Sequence, residues 1–282
     1  MRACVFPGQG AQKKGMGADL FPKYPEYVAL ADELLGFSVE EFCAKGEGKW
    51  FFRTKFIQPI MYIVCALSYL DWLQTEGPPD FLAGHSVGEL SALFASGAFD
   101  FETGLRIVKS RGELMDGVRG GGMAAVIGAN EDTIREILQE KGLNTIDIAN
   151  YNTPTQYVIS GPIDDIYTAE DVFDSDPRIG SIVVLRVSGA FHSRYMEPVS
   201  REFYEILDQF SFSPLKIPVI ANRTARPYID SDIKRMLAEQ LCNPVLWTES
   251  VKYMLNVGVK DFFQCGPGHA TIGLVNKIID SL

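Results

Sequence analysis

The chain has few histidines and no cysteine pattern. Among its 282 residues there are only three histidines, and its five cysteines are scattered without a C-x-x-C pair. An odd, dispersed set of cysteines argues against a disulfide framework or a structural zinc site and favours a reducing compartment. We therefore expect a cytoplasmic protein without a metal site, in which any imidazole chemistry belongs to His85, His192 or His269.

Positive charge is scarce as well. Lys and Arg together number 26 against 36 Asp and Glu, which gives a net charge of −10 at pH 7. Nucleic acid is not an expected partner, because phosphate binding needs a basic face. Docking to an acidic partner would require a locally basic patch, which composition alone does not reveal.

Long hydrophobic runs are missing too. The N-terminal apolar stretch meets Pro7-Gly8 after six residues, which is too short for a signal peptide. The longest apolar run, 60–67, falls far below the roughly 20 residues that a membrane span needs. We expect no association with a membrane.

Strand and helix patterns alternate along most of the chain. Strands predicted at 3–6, 81–83, 217–221 and 261–264 alternate with helices, one of which runs to about residue 73 with Pro59 in its first turn. From 123 to 187 the predicted order is β-α-β-β-α-β, which is the ferredoxin-like pattern. The sequence thus predicts an α/β protein with a hydrolase-like core and a mostly parallel sheet (1–118 and 191–282). A ferredoxin-like α+β subdomain is inserted at 119–190.

Gly84-His85-Ser86-Val87-Gly88 contains the clearest candidate nucleophile. A predicted strand precedes this G-x-S-x-G segment and a predicted helix, 89–94, follows it, as in a nucleophile elbow. The glycines permit a strained turn, which would place the Ser86 hydroxyl at a helix N-terminus with the Val87 N–H facing a developing oxyanion. The pentapeptide alone is also compatible with a Ser-capped turn, and the flanking elements favour the elbow.

A nucleophilic serine needs a base. His85 adjoins Ser86 on a turn where neighbouring side chains diverge, so lining the pocket or donating to an acyl group suits it better. His269 lies in a Gly-rich loop before the last helix and is expected at the surface. His192, placed at the end of the last strand of the insert, is the favoured base. No acidic residue stands out as the third member of a triad, and a carbonyl can orient the imidazole in a Ser-His dyad.

Arg111 and Gln9 are candidates for substrate binding. Arg111, on a helix predicted at 103–115, is either a surface residue paired with Glu113 or Asp116 or a fork that grips a carboxylate. The Phe6-Pro7-Gly8-Gln9-Gly10 loop lacks the Gly-Lys-Ser/Thr of a P-loop and the third glycine of a dinucleotide fingerprint. A tight turn that presents the Gln9 N–H to the pocket is the better interpretation.

Together these segments resemble the malonyl-CoA:acyl-carrier-protein transacylase family, and the resemblance spans essentially the whole chain. The matching segments, in order, are 6–10, 84–89, Arg111-Gly112, 150–154, 189–193, 240–245 and 266–268. Two positions depart from the usual pattern. Val87 stands where leucine is common, and His269 stands where lysine is frequent.

The resemblance implies a mechanism and a set of roles. Ser86 would attack the thioester of malonyl-CoA, with His192 as general base, to form a malonyl-serine. The acceptor would be the phosphopantetheine thiol of an acyl carrier protein, and no cofactor would be bound permanently. Further implied roles are oxyanion binding by the backbone amides of Gln9 and Val87, carboxylate binding by Arg111, orientation of His192 by the Gln240 carbonyl, and lining of the pocket by His85, Asn152 and Phe191.

The resemblance also narrows the substrate and the pathway. Gly189-Ala190-Phe191-His192 is the malonyl-type pattern, and Arg111 argues against related acyl hydrolases. Segments 79–84 and 97–104 look most like the discrete acyltransferases that load modular polyketide synthases in trans. A fatty-acid-synthesis transacylase, a serine hydrolase that uses water, and a non-catalytic carrier-binding module are the alternatives.

Overall fold

Nine strands and eleven helices form among the residues described by this computed structural model, which are 1–46 and 48–282. The strands are β1 (Arg2–Phe6), β2 (Phe81–Gly84), β3 (Gly121–Ile127), β4 (Asp147–Thr153), β5 (Gln156–Pro162), β6 (Ser181–Val184), β7 (Val219–Ala221), β8 (Arg226–Pro227) and β9 (Asp261–Gln264). The helices are α1 (Pro25–Leu35), α2 (Val39–Lys45), α3 (Thr54–Glu76), α4 (Gly88–Ala95), α5 (Phe101–Gly117), α6 (Glu131–Glu140), α7 (Ile163–Ser175), α8 (Glu197–Leu207), α9 (Ile233–Gln240), α10 (Trp247–Asn256) and α11 (Ala270–Ile279).

The first sheet has the strand order β8-β7-β2-β1-β9, and all neighbours in it are parallel except β7 and β8. Its strand β1, which lies between β2 and β9, is buried from Ala3 to Phe6, because helices cover both faces. Phe6 pairs with Gly84, so β1 and β2 end at the same edge of the sheet. The loops that follow them, carrying Gln9 and Ser86, therefore start side by side.

The second sheet is antiparallel, with the order β4-β5-β3-β6. Its strands and the helices α6 and α7 follow the β-α-β-β-α-β order and enclose a separate apolar cluster that includes Ile134, Ile137 and Phe173. The predicted fold class, a mostly parallel α/β core with a ferredoxin-like second unit, is confirmed. The boundaries at 118/119 and 190/191 stay a prediction.

Helix α3 passes through the main core. It begins at Thr54, so Pro59 lies inside the helix and the prediction that Pro59 occupies the first turn was wrong. Dense burial from Ile57 to Leu67 outweighs the cost of the missing N–H. By length and composition alone α3 could cross a membrane, but 67% of its most apolar window is buried within the fold, as in the core helix of a globular protein.

Candidate active site

The turn between β2 and α4 holds Ser86 in a strained conformation. Its φ angle of 53° lies in the left-handed region, and its N–H donates to Asn222 Oδ1 at 2.8 Å. A Cβ on Gly88 would come within 2.4 Å of the Phe6 carbonyl oxygen, and one on Gly84 within 2.0 Å of the Gly88 backbone. Backbone crowding therefore requires both glycines, and the turn directs Ser86 away from the sheet edge as an elbow does.

His192 contacts Ser86 directly. The Ser86 hydroxyl lies 2.8 Å from His192 Nε2, and the other ring nitrogen, Nδ1, lies 2.8 Å from the Gln240 carbonyl oxygen. A carbonyl oxygen can only accept a hydrogen bond, so it favours the tautomer with hydrogen on Nδ1 and a free lone pair on Nε2. The position predicted for His192 was wrong in one respect: β6 ends at Val184, and His192 follows in an irregular segment with a φ of 57°.

Burial keeps this imidazole neutral. His192 is 4% exposed, and burial, with the nearby charge of Arg111 as a smaller contribution, lowers its pKa to about 3. A neutral imidazole with its Nε2 lone pair toward a hydroxyl is the form that accepts a proton from a nucleophile. His192 is therefore ready to act as a base at neutral pH.

Arg111 lies inside the site and not on the surface. It is 1% exposed; its Nη1 donates to Gln58 Oε1 at 2.7 Å and its Nη2 to Gln240 Oε1 at 2.8 Å. Nη2 also reaches Ser86 Oγ at 3.4 Å. The alternative of a surface arginine paired with Glu113 or Asp116 was wrong. Burial lowers the pKa of Arg111 to about 10, so a full positive charge stands beside Ser86 at neutral pH.

The Gln9 loop borders the elbow. A Cβ on Gly8 would approach the His85 carbonyl oxygen to 2.5 Å, so the two backbones are in contact. Within the part of the chain that the structure describes, no backbone hydrogen bond occupies the N–H of Gln9 or Val87. Two amides without partners next to a candidate nucleophile are what an oxyanion hole requires.

An open cleft of about 430 Å³ adjoins the Gln9 loop and the elbow. Gln9, His85 and Asn152 line it together with the exposed side chains of His269 and Lys277. His85 Nε2 lies 2.8 Å from Asn152 Oδ1, and burial lowers the His85 pKa. The structure thus places His85 in the wall of the cleft, and His269, which also lines it, is exposed. Phe191, which precedes His192, is buried.

Four residues of the site were not predicted from the sequence: Gln58, Glu89, Asn222 and Tyr228. Glu89 is 1% exposed and accepts hydrogen bonds from the Asn222 N–H at 3.0 Å and the Tyr228 hydroxyl at 2.7 Å. The Gln240 side chain donates to the same carboxylate through Nε2. One signal was present in the sequence, because Glu89 sits in an apolar helix, where an acidic side chain must find buried partners.

This site combines a strained serine, a neutral histidine held by a carbonyl, two available amides and a buried cation. No group of His, Cys, Asp or Glu suited to a metal ion occurs among the described residues. A serine and a base on an α/β elbow define an acyl-transfer site. The acyl transferase domain family matches residues 3–274, and the chain belongs to this family.

Individual relatives point to one branch of that family. The chain is 48% identical over 275 residues to the polyketide biosynthesis malonyl CoA-acyl carrier protein transacylase PksC of Bacillus subtilis (strain 168), covering 97% of this chain and 96% of PksC. It is also 48% identical over 275 residues to the polyketide biosynthesis protein PksE of the same organism, but spans only 36% of that longer relative.

Solved structures agree with this assignment. The crystal structure of a malonyl CoA-acyl carrier protein transacylase from Burkholderia pseudomallei superposes with a TM-score of 0.96 at 42% identity, over 100% of this chain and 99% of that one. A malonyl-transacylase in complex with its holo type II polyketide acyl carrier protein gives a TM-score of 0.93 at 31% identity, over 100% and 94% of the two chains.

Proposed function

We propose that this protein transfers a malonyl group from malonyl-CoA to the phosphopantetheine thiol of an acyl carrier protein, and that it supplies polyketide synthesis in trans. The observation that carries the proposal is the buried Arg111 guanidinium, 3.4 Å from the hydroxyl of a serine that is already paired with a base. A buried cation beside the nucleophile suits an acyl group that ends in a carboxylate.

In the first half of the reaction, Ser86 Oγ attacks the thioester carbonyl as His192 Nε2 takes the hydroxyl proton. The N–H groups of Gln9 and Val87 stabilise the oxyanion, each contributing roughly 3–4 kcal/mol to the transition state. The C–S bond breaks, and the CoA sulfur leaves with the proton from His192. The Gln240 carbonyl stabilises the transient imidazolium, in place of the carboxylate of a triad.

In the second half, the carrier thiol enters and His192 removes its proton. The thiolate attacks the malonyl-serine ester, and the serine oxygen leaves with that proton, which regenerates the free enzyme. We propose that donor and acceptor arms both use the cleft of about 430 Å³ lined by Gln9, His85 and Asn152. This scheme needs no resident cofactor, and we place the enzyme in the cytoplasm.

A serine hydrolase is the main alternative, because it would share the nucleophile and the base. We expect holo-carrier protein to speed the loss of malonyl from loaded Ser86 at least a hundredfold over water, since the thiolate is the better nucleophile and is bound beside the ester. Rapid-quench mass spectrometry of the malonyl-enzyme, with holo-carrier and with apo-carrier as the matched control, measures this. Equal rates with holo-carrier, apo-carrier and buffer would show that water is the acceptor.

The pathway is tested by a choice of carrier. Both Bacillus relatives described above carry polyketide biosynthesis in their names, which favours the polyketide assignment over fatty-acid synthesis. Side-by-side transfer to the polyketide and fatty-acid carriers of the source organism separates the two roles, since the chemistry is the same in both.

A further inference from the structure

Glu89 is a buried carboxylate that the reaction scheme above leaves without a role. It lies in the first turn of α4, three residues after Ser86. Its Oε1 accepts from the Asn222 N–H and the Tyr228 hydroxyl, and its Oε2 accepts from Gln240 Nε2. Three donors around one carboxylate favour its ionised form in the substrate-free protein.

Gln240 connects this anion to the cation of the site. Its Nε2 donates to Glu89 and to the Ser86 carbonyl oxygen at 2.9 Å, while its Oε1 accepts from Arg111 Nη2 at 2.8 Å. Glu89, Gln240 and Arg111 thus form a carboxylate–amide–guanidinium chain. In the absence of substrate, the ionised form of Glu89 places one buried negative charge opposite one buried positive charge.

A bound malonyl group adds a second negative charge to this chain. When a malonyl carboxylate binds Arg111, two buried carboxylates share one guanidinium, and a like charge nearby disfavours the ionised form of each. We propose that Glu89 takes up a proton when a substrate carboxylate binds Arg111, so that malonyl loading of Ser86 is linked to the charge state of Glu89. This inference rests on the proposed function, because it assumes that Arg111 receives the carboxylate.

In loading, the Ser86 oxygen forms its bond to the acyl carbon, the C–S bond breaks, and the serine proton leaves on the CoA thiol. The proton that Glu89 gains comes from solvent and returns to solvent when the malonyl group departs to the carrier. An acyl group without a carboxylate, such as acetyl, leaves Glu89 ionised and takes up no proton there.

The surroundings of Glu89 give it a pKa within the pH range in which enzyme kinetics can be measured. Burial raises the pKa of Glu89 to about 7 against the opposing effects of Tyr228, Asn222, Gln240 and Arg111. Arg111 on α5 and Tyr228 after β8 are the titratable side chains that act on it among the described residues, and Asn222 and Gln240 are neutral. His192, beyond Ser86, is uncharged because its pKa is about 3.

The sign of the pH effect follows from this. Substrate carboxylate prefers the enzyme in which Glu89 is protonated, so kcat/KM for malonyl-CoA falls as pH rises above about 7. For each unit by which the bound carboxylate raises the Glu89 pKa, kcat/KM for malonyl-CoA falls tenfold before it becomes constant at high pH. We expect the ratio of kcat/KM for malonyl-CoA to kcat/KM for acetyl-CoA to drop roughly tenfold between pH 6.5 and 8.5. Taking the ratio cancels pH effects common to both substrates.

The test measures this ratio from pH 6 to 9 in the full-length wild type and two variants. Glu89→Gln removes the titrating group, and its ratio should be independent of pH. Tyr228→Phe removes a hydrogen bond that lowers the Glu89 pKa, so its ratio should fall at a higher pH than in the wild type. A structural role alone would not move the midpoint in this direction.

Several results would overturn the inference. They are a wild-type ratio that does not change with pH, the same fall in Glu89→Gln, or a midpoint in Tyr228→Phe that stays in place or moves lower. Should Glu89→Gln fail to fold, Tyr228→Phe alone decides. An indicator-dye measurement at pH 8 should show proton uptake on loading with malonyl-CoA and none with acetyl-CoA. If the wild type loads malonyl but shows no linkage, the role of Glu89 fails and the proposed function stands.

Discussion

Replacement of His192 by alanine is expected to slow the loading of Ser86 from malonyl-CoA by about a thousandfold. The Ser86 hydroxyl donates to His192 Nε2 at 2.8 Å, and among the described residues its other side-chain partner, Arg111, is a cation that cannot take the proton. General-base catalysis by a positioned imidazole contributes roughly 10²–10⁴-fold. Single-turnover rapid-quench measurement of the acyl-enzyme gives the rate of this step directly.

His269→Ala is the matched control, since it removes an exposed histidine that lines the neighbouring cleft. We expect its loading rate to stay within about threefold of the wild type, because this side chain does not reach the reacting atoms. A loss in His269→Ala as large as that in His192→Ala would mean that the base was misassigned.

Replacement of Arg111 by alanine is expected to abolish the preference for malonyl over acetyl. The kcat/KM for malonyl-CoA should fall by roughly 10⁴-fold, since a site built for a polar group loses about that much when the pairing is removed. The kcat/KM for acetyl-CoA should fall much less, because acetyl has no carboxylate to pair with the guanidinium. Kinetics with both donors, on protein whose melting temperature has been checked, separate binding from folding.

Two arginine variants serve as controls. Arg111→Lys keeps the charge but loses the planar fork that donates to both Gln58 and Gln240. Its malonyl activity should therefore lie between that of Arg111→Ala and that of the wild type. Arg53→Ala removes the partly exposed arginine that pairs with Asp116 outside the site and should leave the preference intact. Equal losses of malonyl and acetyl activity in Arg111→Ala would show that Arg111 supports the fold and does not recognise the carboxylate.

Local pattern was enough to predict the elbow and the overall architecture. The strand, the G-x-S-x-G turn and the helix are contiguous, so Ser86 could be recognised from a dozen residues. The ferredoxin-like unit was readable for the same reason, because its strands and helices alternate with clear periodicity. The scarcity of histidines then reduced the search for a partner to three positions.

Contacts between residues that lie far apart in the chain could not be predicted from the sequence. Asn222 and Tyr228 meet Glu89 across 133 and 139 positions of chain, and no periodic pattern encodes such a meeting. Arg111 could not be resolved between surface and site because its helix, α5, carries both exposed and buried faces. Its guanidinium is held in the site by hydrogen bonds to Gln58 on α3 and to Gln240 at the end of α9. Both partners reach it through tertiary packing.

Tertiary packing also explains the errors in secondary structure. Pro59 is a helix-start signal by local rules, yet the core that surrounds α3 extends the helix five residues before it. The strand predicted to end at 187 stops at Val184, and the irregular segment that follows gives His192 the left-handed backbone that brings its ring to Ser86. Both departures from local preference lie in the core or at the site, where surrounding contacts can stabilise them.

The most direct test of covalent acyl transfer is intact-mass spectrometry of the protein after brief treatment with malonyl-CoA. We predict that the wild type gains the mass of one malonyl group, that Ser86→Ala gains none, and that holo-carrier protein removes the added mass from the wild type. A wild type without the gain, or a gain that persists in Ser86→Ala, would contradict a malonyl-serine intermediate at the elbow.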